Sequence, residues 1–395
     1  MEPMLTSNKF TDRVSSLKPE GAYAVLARAQ ALEAQGRNIV HLEIGQPDFP
    51  TPLHVSAAGI EAIRSGKTKY NPPAGVYKFR EVIAEYAGGQ RGIKIDATQV
   101  VVGTGSKPGL FFPTLALVSP GDEVIYPDPG FPTYEAMIRV AGGVPVPIPL
   151  REENQFSFDL DVFDSKISDR TRLVILNSPG NPTGGVIPLD ELGHIAGKVI
   201  EHNAWVITDE IYTRLVYDGV IAHSIAEIDD MQERTIIVDG FSKTYSMTGW
   251  RLGYMISPVE LAERLELLIT HATGCTATFT QYAGIEALTG PQDFVVDMVS
   301  EYQRRRDRML ELVNAIPGIH AQQPQGAFYL FPNIKATGLS AKEIAARLID
   351  EAGVAVLSGT DFGSGGEGYI RLVYANSMEK IEEGLERMAK WFKDI

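Results

Sequence analysis

The chain has 395 residues, about two to three times the length of a common domain, which predicts two domains built on a large hydrophobic core. Hydrophobic residues make up 44% and charged residues 22%, which is close to globular averages and disfavours disordered, collagen-like and membrane proteins. Lys and Arg number 36 against 50 Asp and Glu, giving a formal charge of −14. That acidic balance disfavours non-specific binding to nucleic acids or anionic membranes.

The first residues and the cysteine content bear on location. The only cysteine, Cys275, cannot form an intrachain disulfide, which suits a reducing compartment. Residues 1–10 lack a continuous apolar run behind a basic start, and no stretch approaches the roughly 20 apolar residues that span a bilayer. We therefore expect a cytoplasmic protein.

The N-terminal part of the chain predicts one helix and one linker. Residues 23–36 are rich in Ala and Leu and end in glycine, as expected for a helix with a C-terminal stop. The loop GQPDFPTP at residues 45–52 contains helix-breaking prolines. A larger domain is therefore expected to begin near residue 52.

The middle of the chain alternates short apolar, β-branched runs with longer helical patterns, which is typical of βα units and a mostly parallel sheet. The predicted strands cover residues 100–103, 123–127, 172–177, 205–210 and 235–243. Ligands of such sheets bind beyond the carboxyl ends of the strands. The polar residues that end these runs are therefore the first candidates for a site.

From about Pro291 the pattern changes to a long charged helix, EYQRRRDRMLELVNAI, followed by short strands. This change indicates a second, smaller domain. We predict that residues 1–51 are the N-terminal segment of the small domain, residues 52–290 the large domain and residues 291–395 the C-terminal small domain.

The stretch SKTYSMTGWRLG, residues 242–253, follows the last predicted strand and contains Lys243 and Arg251. A lysine after a buried strand can lose its solvation and act as a Schiff-base nucleophile, while an arginine offers a two-pronged grip on phosphate. Taken alone, a Lys and an Arg are more often solvated surface residues.

Two further stretches follow predicted strands. NSPGNPTGG at residues 177–185 also fits an ordinary turn, since Asn-Pro is a turn signal. TDEIY at residues 208–212 places Asp209 directly after an apolar run. A buried carboxylate needs a cationic or hydrogen-bonding partner, and a protonated pyridinium nitrogen is one such partner.

NPTG, DEIY and SKTYSMTGWRLG, in this order, resemble the motifs of the class I aminotransferases, specifically their bacterial aspartate and aromatic members. The resemblance spans nearly the whole chain, from IGQPDFPTP through KTKYNPPAG at residues 67–75 to IRLVYA near the C-terminus. It implies an α/β protein of fold type I that binds pyridoxal 5'-phosphate (PLP). Its large, PLP-binding domain would have a mostly parallel sheet flanked by helices, and its smaller α+β domain would be built from both termini.

The resemblance assigns roles at the reacting centre. Lys243 matches the lysine that forms a Schiff base with PLP and shuttles the substrate proton. Asp209 matches the carboxylate that keeps the pyridinium nitrogen protonated, which strengthens the cofactor as an electron sink. Asn181 and Tyr212 match the pair that hydrogen-bonds the cofactor's O3′ oxygen, although Tyr212 also fits a core aromatic residue.

The phosphate group of PLP needs backbone N–H groups and positive charge. VGTGSKPGLFF at residues 102–112 fits a strand, a Gly-rich turn and a helix start, so we expect Gly105, Ser106 and Lys107 to form the cup. The Walker A spacing is missing, which removes the main support for kinase-like chemistry. By resemblance, Arg251 closes the phosphate clamp.

Three further cofactor contacts are implied by the resemblance. Ser242 adds a hydroxyl, and Tyr70 reaches the phosphate from the neighbouring subunit, which implies a homodimer with shared active sites. Phe131, in DPGFPTY, matches the aromatic residue that stacks on the pyridine ring. Tryptophan or tyrosine is common there, and phenylalanine keeps the flat face without the polar group.

Substrate contacts are implied in the same way. Arg371 matches the arginine that holds the substrate α-carboxylate in a bidentate pair, and Asn181 and the Gly45 backbone contact the same group. No metal ion is expected.

These roles together predict a ping-pong aminotransferase that moves an amino group between an L-amino acid and a 2-keto acid such as 2-oxoglutarate. The alternative is another PLP reaction on the same fold, such as β-elimination at a C–S bond, because the motifs are shared. A regulatory module fused to a DNA-binding domain is disfavoured, since only about 50 residues precede the large domain and the chain is acidic.

Two charged residues bear on the substrate side chain. In the bacterial branch, a lysine placed as Lys107 is can meet a side-chain carboxylate, which favours aspartate, and the segment 271–282 contains no Arg or Lys. A flexible ammonium selects weakly, so aromatic or neutral substrates are also expected. Glu20 either lines the pocket and repels an acidic substrate or faces solvent at a helix N-terminus.

Overall fold

The computed structural model describes residues 10–15 and 17–394 of the chain. The strands are β1 (Val40–His41), β2 (Val100–Gly103), β3 (Glu123–Asp128), β4 (Val144–Pro149), β5 (Thr171–Asn177), β6 (Trp205–Asp209), β7 (Thr235–Gly240), β8 (Gly253–Ile256), β9 (Tyr329–Leu330), β10 (Val354–Ala355), β11 (Leu357–Ser358) and β12 (Ile370–Val373). The helices are α1 (Asp12–Ser15), α2 (Gly21–Glu33), α3 (Leu53–Arg64), α4 (Tyr77–Arg91), α5 (Lys107–Leu117), α6 (Thr133–Ala141), α7 (Leu160–Lys166), α8 (Leu189–Glu201), α9 (Val259–Ala272), α10 (Thr278–Thr289), α11 (Asp293–Asn314), α12 (Ala341–Arg347) and α13 (Met378–Lys393).

The largest sheet has the strand order β2-β8-β7-β6-β5-β3-β4. Its neighbours pair in parallel except β8, which is antiparallel to both β2 and β7. The expected mostly parallel sheet is therefore confirmed, and all five predicted strands lie in it. The last of them ends at Gly240 rather than residue 243, because Gly240 pairs with Gly253, the first residue of β8, and the ladder stops there.

Two strands of this sheet were not among the predicted strands. β4 has the sequence VPVPIP, whose prolines lack the N–H that a central strand needs. It lies at the edge of the sheet, where only one side of the strand must pair. β8 is a four-residue strand whose antiparallel direction breaks the βα alternation on which the prediction depended.

Both faces of the large sheet are covered by apolar side chains. Leu173 and Ile175 of β5 pack in one cluster, and the alternate residues Val174 and Leu176 pack in another. This two-sided burial is the reason that β5 reads as a continuous apolar run. Within the described ranges, no helix is both long and apolar enough to cross a membrane.

A smaller α+β unit is built from both ends of the chain. β11, β12 and β9 form an antiparallel sheet, and β1 near the N-terminus pairs in parallel with β10. Its core joins Val40 and Leu42 to residues of α11 and α13, such as Met309 and Leu385. β9 and β12 are neighbours with Tyr329 opposite Val373, and the Arg371 guanidinium lies 4.4 Å from the centre of the Tyr329 ring. The Tyr329 hydroxyl reaches Tyr212, which follows β6 of the large sheet.

Candidate active site

The ends of β5 and β6 bring two of the predicted motifs together. Asn177 and Asp209 are register partners, and Asn177 Nδ2 donates to the Asp209 carbonyl oxygen at 3.0 Å. Asn177 Oδ1 accepts the backbone N–H of Asn181 at 2.9 Å. The NPTG loop is therefore fixed to the strand end that carries Asp209.

Asp209 is buried without a cationic partner among the described residues. Its Oδ2 accepts a hydrogen bond from the Tyr134 hydroxyl at 2.8 Å, and its Oδ1 lies 3.4 Å from the N–H of Ile211. Burial raises the pKa of Asp209 to about 6, although both hydrogen bonds oppose that shift. A cation placed beside this carboxylate would relieve the cost of its burial.

Lys243 lies in the loop after β7, and its Nζ donates to the Gly45 carbonyl oxygen at 2.5 Å. Burial, followed by the nearby Arg371 and Arg251 cations, lowers the pKa of this amine to about 7. A large fraction of the Lys243 amine is therefore uncharged near neutral pH, the form that an amine nucleophile or base requires.

Arg371 of β12 is buried, with 3% of its surface exposed. Its Nη1 donates to Asn181 Oδ1 at 3.0 Å and its Nη2 to the Glu43 carbonyl oxygen at 2.5 Å. Its Nε is buried without a partner among the described residues. A buried, unsatisfied N–H on a guanidinium is costly, and a carboxylate ligand would satisfy it.

The turn before α5 brings the start of a helix next to Arg251. Ser106 occupies the N-cap position of α5. Pro108 has no N–H and the Gly109 N–H donates to the Ser106 carbonyl oxygen at 2.8 Å, so Ser106 and Lys107 provide the backbone N–H groups at this helix start. Gly105 has φ +88°, and a Cβ atom there would overlap the guanidinium of Arg251. Arg251 is exposed and donates to the Thr248 carbonyl oxygen at 2.8 Å. Glycine at this position therefore lets the Arg251 guanidinium approach the turn, and its φ is one that other residues rarely adopt.

Lys107 and Glu20 form an ion pair at the mouth of the site. Lys107 Nζ also lies 5.2 Å from the centre of the Phe131 ring, and that ring packs edge-on against Tyr134 with the ring centres 5.8 Å apart. Glu20 precedes α2 and is partly buried. It therefore approaches the site instead of facing only solvent, and in this state the Lys107 ammonium is directed at Glu20.

Three further residues predicted to contact the cofactor are Tyr70, Ser242 and Tyr212. Tyr70 has a side chain that is 98% exposed, so it makes almost no contact within its own chain. Ser242 is buried directly before Lys243. Tyr212 is also buried, and its hydroxyl oxygen lies 2.6 Å from that of Tyr329.

Sequence reasoning missed several residues of the site. Tyr134 could have been found, because it ends the DPGFPTY motif that also contains Phe131. Tyr329, in GAFYLF, carried no signal of its own. Glu210 of the DEIY motif forms a buried ion pair with Arg91 at the end of α4, with 2.8 Å between Arg91 Nε and Glu210 Oε2.

The comparisons with known proteins identify the family of the chain. The sequence model of the aminotransferase class I and II family matches residues 37–388. The chain is 39% identical to aromatic-amino-acid aminotransferase 2 of Thermococcus litoralis and 40% identical to aspartate aminotransferase of Pyrococcus abyssi, each match covering 98% of both chains. It is similar to the structure of Thermus thermophilus aspartate aminotransferase with maleate, with a TM-score of 0.93, 38% identity and coverage of 96% of this chain and 99% of that one.

The chain belongs to the class I and II aminotransferases. It is a PLP-dependent transaminase of fold type I, and PLP is its cofactor. The residues present fit this group in two respects: Asp209 lacks a cationic partner among the described residues, and Gly105 leaves a cradle that a Cβ would fill. Within the same ranges, the unsatisfied Nε of Arg371 fits a substrate carboxylate.

Proposed function

We propose that Lys243 is the residue that holds PLP covalently through Nζ and that the same Nζ moves the α-proton of the bound amino acid. The observation that carries this proposal is the Lys243 amine itself, whose pKa is lowered to about 7. An amine with this pKa accepts and releases a proton near neutral pH with little bias.

PLP supplies a conjugated electron sink when it is bound. Asp209 would hold its ring nitrogen, because a cation beside this buried carboxylate removes the cost of burying an unpaired charge. Asn181 and Tyr212 would hold the O3′ oxygen, and the face of Phe131 would pack on the ring. With these contacts, the reacting carbon would lie near Lys243.

The phosphate would bind at the N-terminus of α5. The N–H groups after Gly105, together with Ser106 and Ser242, offer hydrogen-bond donors, and Arg251 offers charge. Lys107 contributes there only if it leaves Glu20, its partner in this structure.

The substrate α-carboxylate would bind Arg371. Its unsatisfied Nε and the Nη2 on the same edge, which now donates to the Glu43 carbonyl oxygen, can form a two-pronged pair with one carboxylate. Gly45 brings its backbone to the same place, and a Cβ at Gly45 would overlap the Tyr329 hydroxyl. The absence of a side chain at Gly45 therefore keeps this part of the pocket open.

For the substrate side chain, we propose that the chain accepts aspartate with 2-oxoglutarate and tolerates aromatic or neutral amino acids. Lys107 supplies the positive charge for a side-chain carboxylate. Its ion pair with Glu20 lowers the preference for aspartate, since an acidic substrate must compete with Glu20 for the ammonium. The relatives with aspartate and with aromatic amino acids in their names are consistent with such a range.

We further propose a cytoplasmic homodimer with shared active sites. Tyr70 is 98% exposed and Leu53 is 88% exposed, so that both are available to a second copy of the chain. Tyr70 would reach the phosphate of that copy. We also propose that the large domain spans residues 52–290 and that residues 1–51 and 291–395 form the small domain.

The deciding experiment is a half-reaction on purified protein loaded with PLP. Amino acids are added one at a time, and the conversion of PLP to pyridoxamine phosphate is followed by absorbance. Conversion supports amino transfer, whereas release of pyruvate and ammonia from a β-substituted amino acid supports the elimination alternative. The names of the relatives do not favour that alternative.

Borohydride reduction tests the assignment of the lysine. We expect the label at Lys243 and none in Lys243→Ala, which should still bind PLP weakly through the phosphate cradle. Lys198→Ala, which removes a lysine paired with Glu201 on the surface, is the matched control. Label at another lysine in the wild-type protein would refute the assignment.

Mixed dimers test the role of Tyr70. A Tyr70→Phe subunit and a Lys243→Ala subunit, purified together by two different tags, form one fully wild-type site if Tyr70 acts across the interface. The heterodimer should then be about half as active as the wild-type dimer, because one site of two is intact. If Tyr70 acts within its own subunit, no site is intact and the activity stays near that of the homodimeric variants.

A further inference from the structure

Two buried tyrosine hydroxyls meet between the two sheets of the protein. Tyr329 lies on β9 of the small sheet and Tyr212 follows β6 of the large sheet, and their hydroxyl oxygens are 2.6 Å apart. The two residues are 1% and 3% exposed. Among the described residues, neither hydroxyl has another hydrogen-bond partner.

Two hydroxyl groups carry two protons, and a hydrogen bond between them uses one. The other proton remains free for a third group. If Tyr329 donates to Tyr212, the free proton belongs to Tyr212. If Tyr212 donates, the free proton belongs to Tyr329. Among the described residues neither hydroxyl has an acceptor for this second proton, so the surroundings of the two rings distinguish the two arrangements.

The surroundings of Tyr329 favour it as the donor. The Arg371 guanidinium lies 4.4 Å from the centre of the Tyr329 ring. Burial raises the pKa of Tyr329, and the Arg371 cation is the largest influence that opposes this shift. Arg371 has a smaller influence on the pKa of Tyr212, where burial and the charge and hydrogen bond of Tyr329 all contribute more. A cation beside a phenol makes its O–H a stronger donor, and here it acts most directly on Tyr329.

We propose that Tyr329 is a positioning residue that donates its proton to the Tyr212 oxygen and so holds the Tyr212 proton ready for the O3′ oxygen of PLP. The inference rests on the proposed function, in which Tyr212 contacts O3′. It also gives the close contact at Gly45 a purpose, since a Cβ there would displace the Tyr329 hydroxyl. Donation to Tyr212 polarises its O–H bond and strengthens the next hydrogen bond in the chain.

The consequence can be measured on the nitrogen that Lys243 supplies to the cofactor. Negative charge on O3′ helps to hold a proton on this nitrogen, and a hydrogen bond donated to O3′ reduces that help. The charges that act on Lys243 Nζ besides this are those of Arg371, Arg251, Asp209 and Lys107. None of these is altered by removing the Tyr329 hydroxyl.

The experiment is a pH titration of the visible absorbance of the PLP-loaded protein, without substrate. Tyr212→Phe should raise the midpoint pH of the colour change. Tyr329→Phe should raise it in the same direction by about half a unit, because a neighbouring hydrogen bond is weakened and not lost. The double variant should match Tyr212→Phe alone, since Tyr329 acts only through Tyr212.

Controls separate this role from simple stabilisation. Tyr374→Phe removes another buried hydroxyl, which donates to the Ala327 carbonyl oxygen at 3.2 Å in the same small-sheet region, and it should leave the midpoint unchanged. Tyr329→Phe keeps the ring beneath Arg371, so the KM for the amino acid should hold while kcat falls. Tyr329→Leu removes the ring as well and should raise KM.

The outcomes also separate this inference from the proposed function. If PLP does not bind at Lys243, the proposed function fails and the inference fails with it. If Tyr212→Phe moves the midpoint and Tyr329→Phe does not, only the inference is overturned. A shift in the double variant that equals the sum of the two single shifts would also overturn it, because Tyr329 would then act independently of Tyr212.

Discussion

The Tyr134 hydroxyl donates a hydrogen bond to Asp209 Oδ2 at 2.8 Å and so joins α6 to the end of β6. This bond favours the charged form of a carboxylate that burial makes hard to ionise. The same helix begins two residues after Phe131, so Tyr134 also fixes the position of the proposed stacking ring.

Tyr134→Phe should weaken PLP binding, because Asp209 loses a donor and its pKa rises further. If losing this hydrogen bond to a charged group costs about 1.4 kcal/mol of binding free energy, the Kd for PLP rises about tenfold. Titration of the cofactor-free protein with PLP measures it. Tyr126→Phe, in strand β3 of the same sheet, is the control, since the Tyr126 hydroxyl has no hydrogen bond among the described residues. Equal losses in both variants would contradict the prediction.

Asp209 should make the cofactor-free protein less stable as pH rises. Its pKa is about 6 in the folded protein against an ordinary 3.8, so between these values the folded state binds a proton that the unfolded state has lost. The contribution of Asp209 to the free energy of unfolding is therefore fully present below about pH 4 and is lost as the pH rises through 6. Asp209→Asn should stabilise the cofactor-free protein at pH 7.5 by roughly 2 kcal/mol.

Urea unfolding at pH 4.5 and pH 7.5 measures this effect, and the gain should shrink at the lower pH. Asp229→Asn, at an exposed carboxylate, should change stability little at either pH. With PLP bound the order should reverse, because Asp209 then has its cationic partner. An Asp209→Asn variant that is no more stable than the wild type at pH 7.5 would show that burial does not disfavour this charge.

Local signals in the sequence were enough for some features. The mostly parallel sheet is confirmed and follows from the βα alternation. Lys243 and Asp209 were predicted as site residues because each follows an apolar run and lies in a specific motif, and the structure places both directly at or after the ends of strands. The position at which a strand ends depends mainly on the local sequence. Four of the five predicted strands end within one residue of the observed end, and only the strand predicted at 235–243 is too long.

Contacts between distant segments were not predictable in this way. Tyr329 and Tyr212 are separated by 117 positions, and Glu20 and Lys107 by 87. No motif spans such distances, and the pairing depends on how the small sheet packs against the ends of the large one. β4 was missed for a different reason, since its prolines argue against a strand until its edge position is known.

Gly105→Ala should weaken PLP binding by about tenfold or more, because the new methyl group displaces the Arg251 guanidinium from the cradle. Gly121→Ala is a matched control. Gly121 has a similar φ of +95°, but a Cβ there meets nothing within 4 Å. Both variants should lose about 1 kcal/mol of stability from backbone strain, and only Gly105→Ala should lose cofactor affinity. Equal affinities for PLP would place the phosphate elsewhere.

Glu20→Gln should raise kcat/KM for aspartate by about threefold to fivefold and change that for phenylalanine little. The reason is that Lys107 loses its partner while the shape of residue 20 is kept, and a partly exposed ion pair is worth at most about 1 kcal/mol. The gain should shrink at high salt, where the charges are screened. Glu201→Gln breaks the ion pair with Lys198 on the surface and should leave kcat/KM unchanged for both aspartate and phenylalanine. An unchanged aspartate to phenylalanine ratio in Glu20→Gln would mean that Lys107 does not meet the substrate side chain.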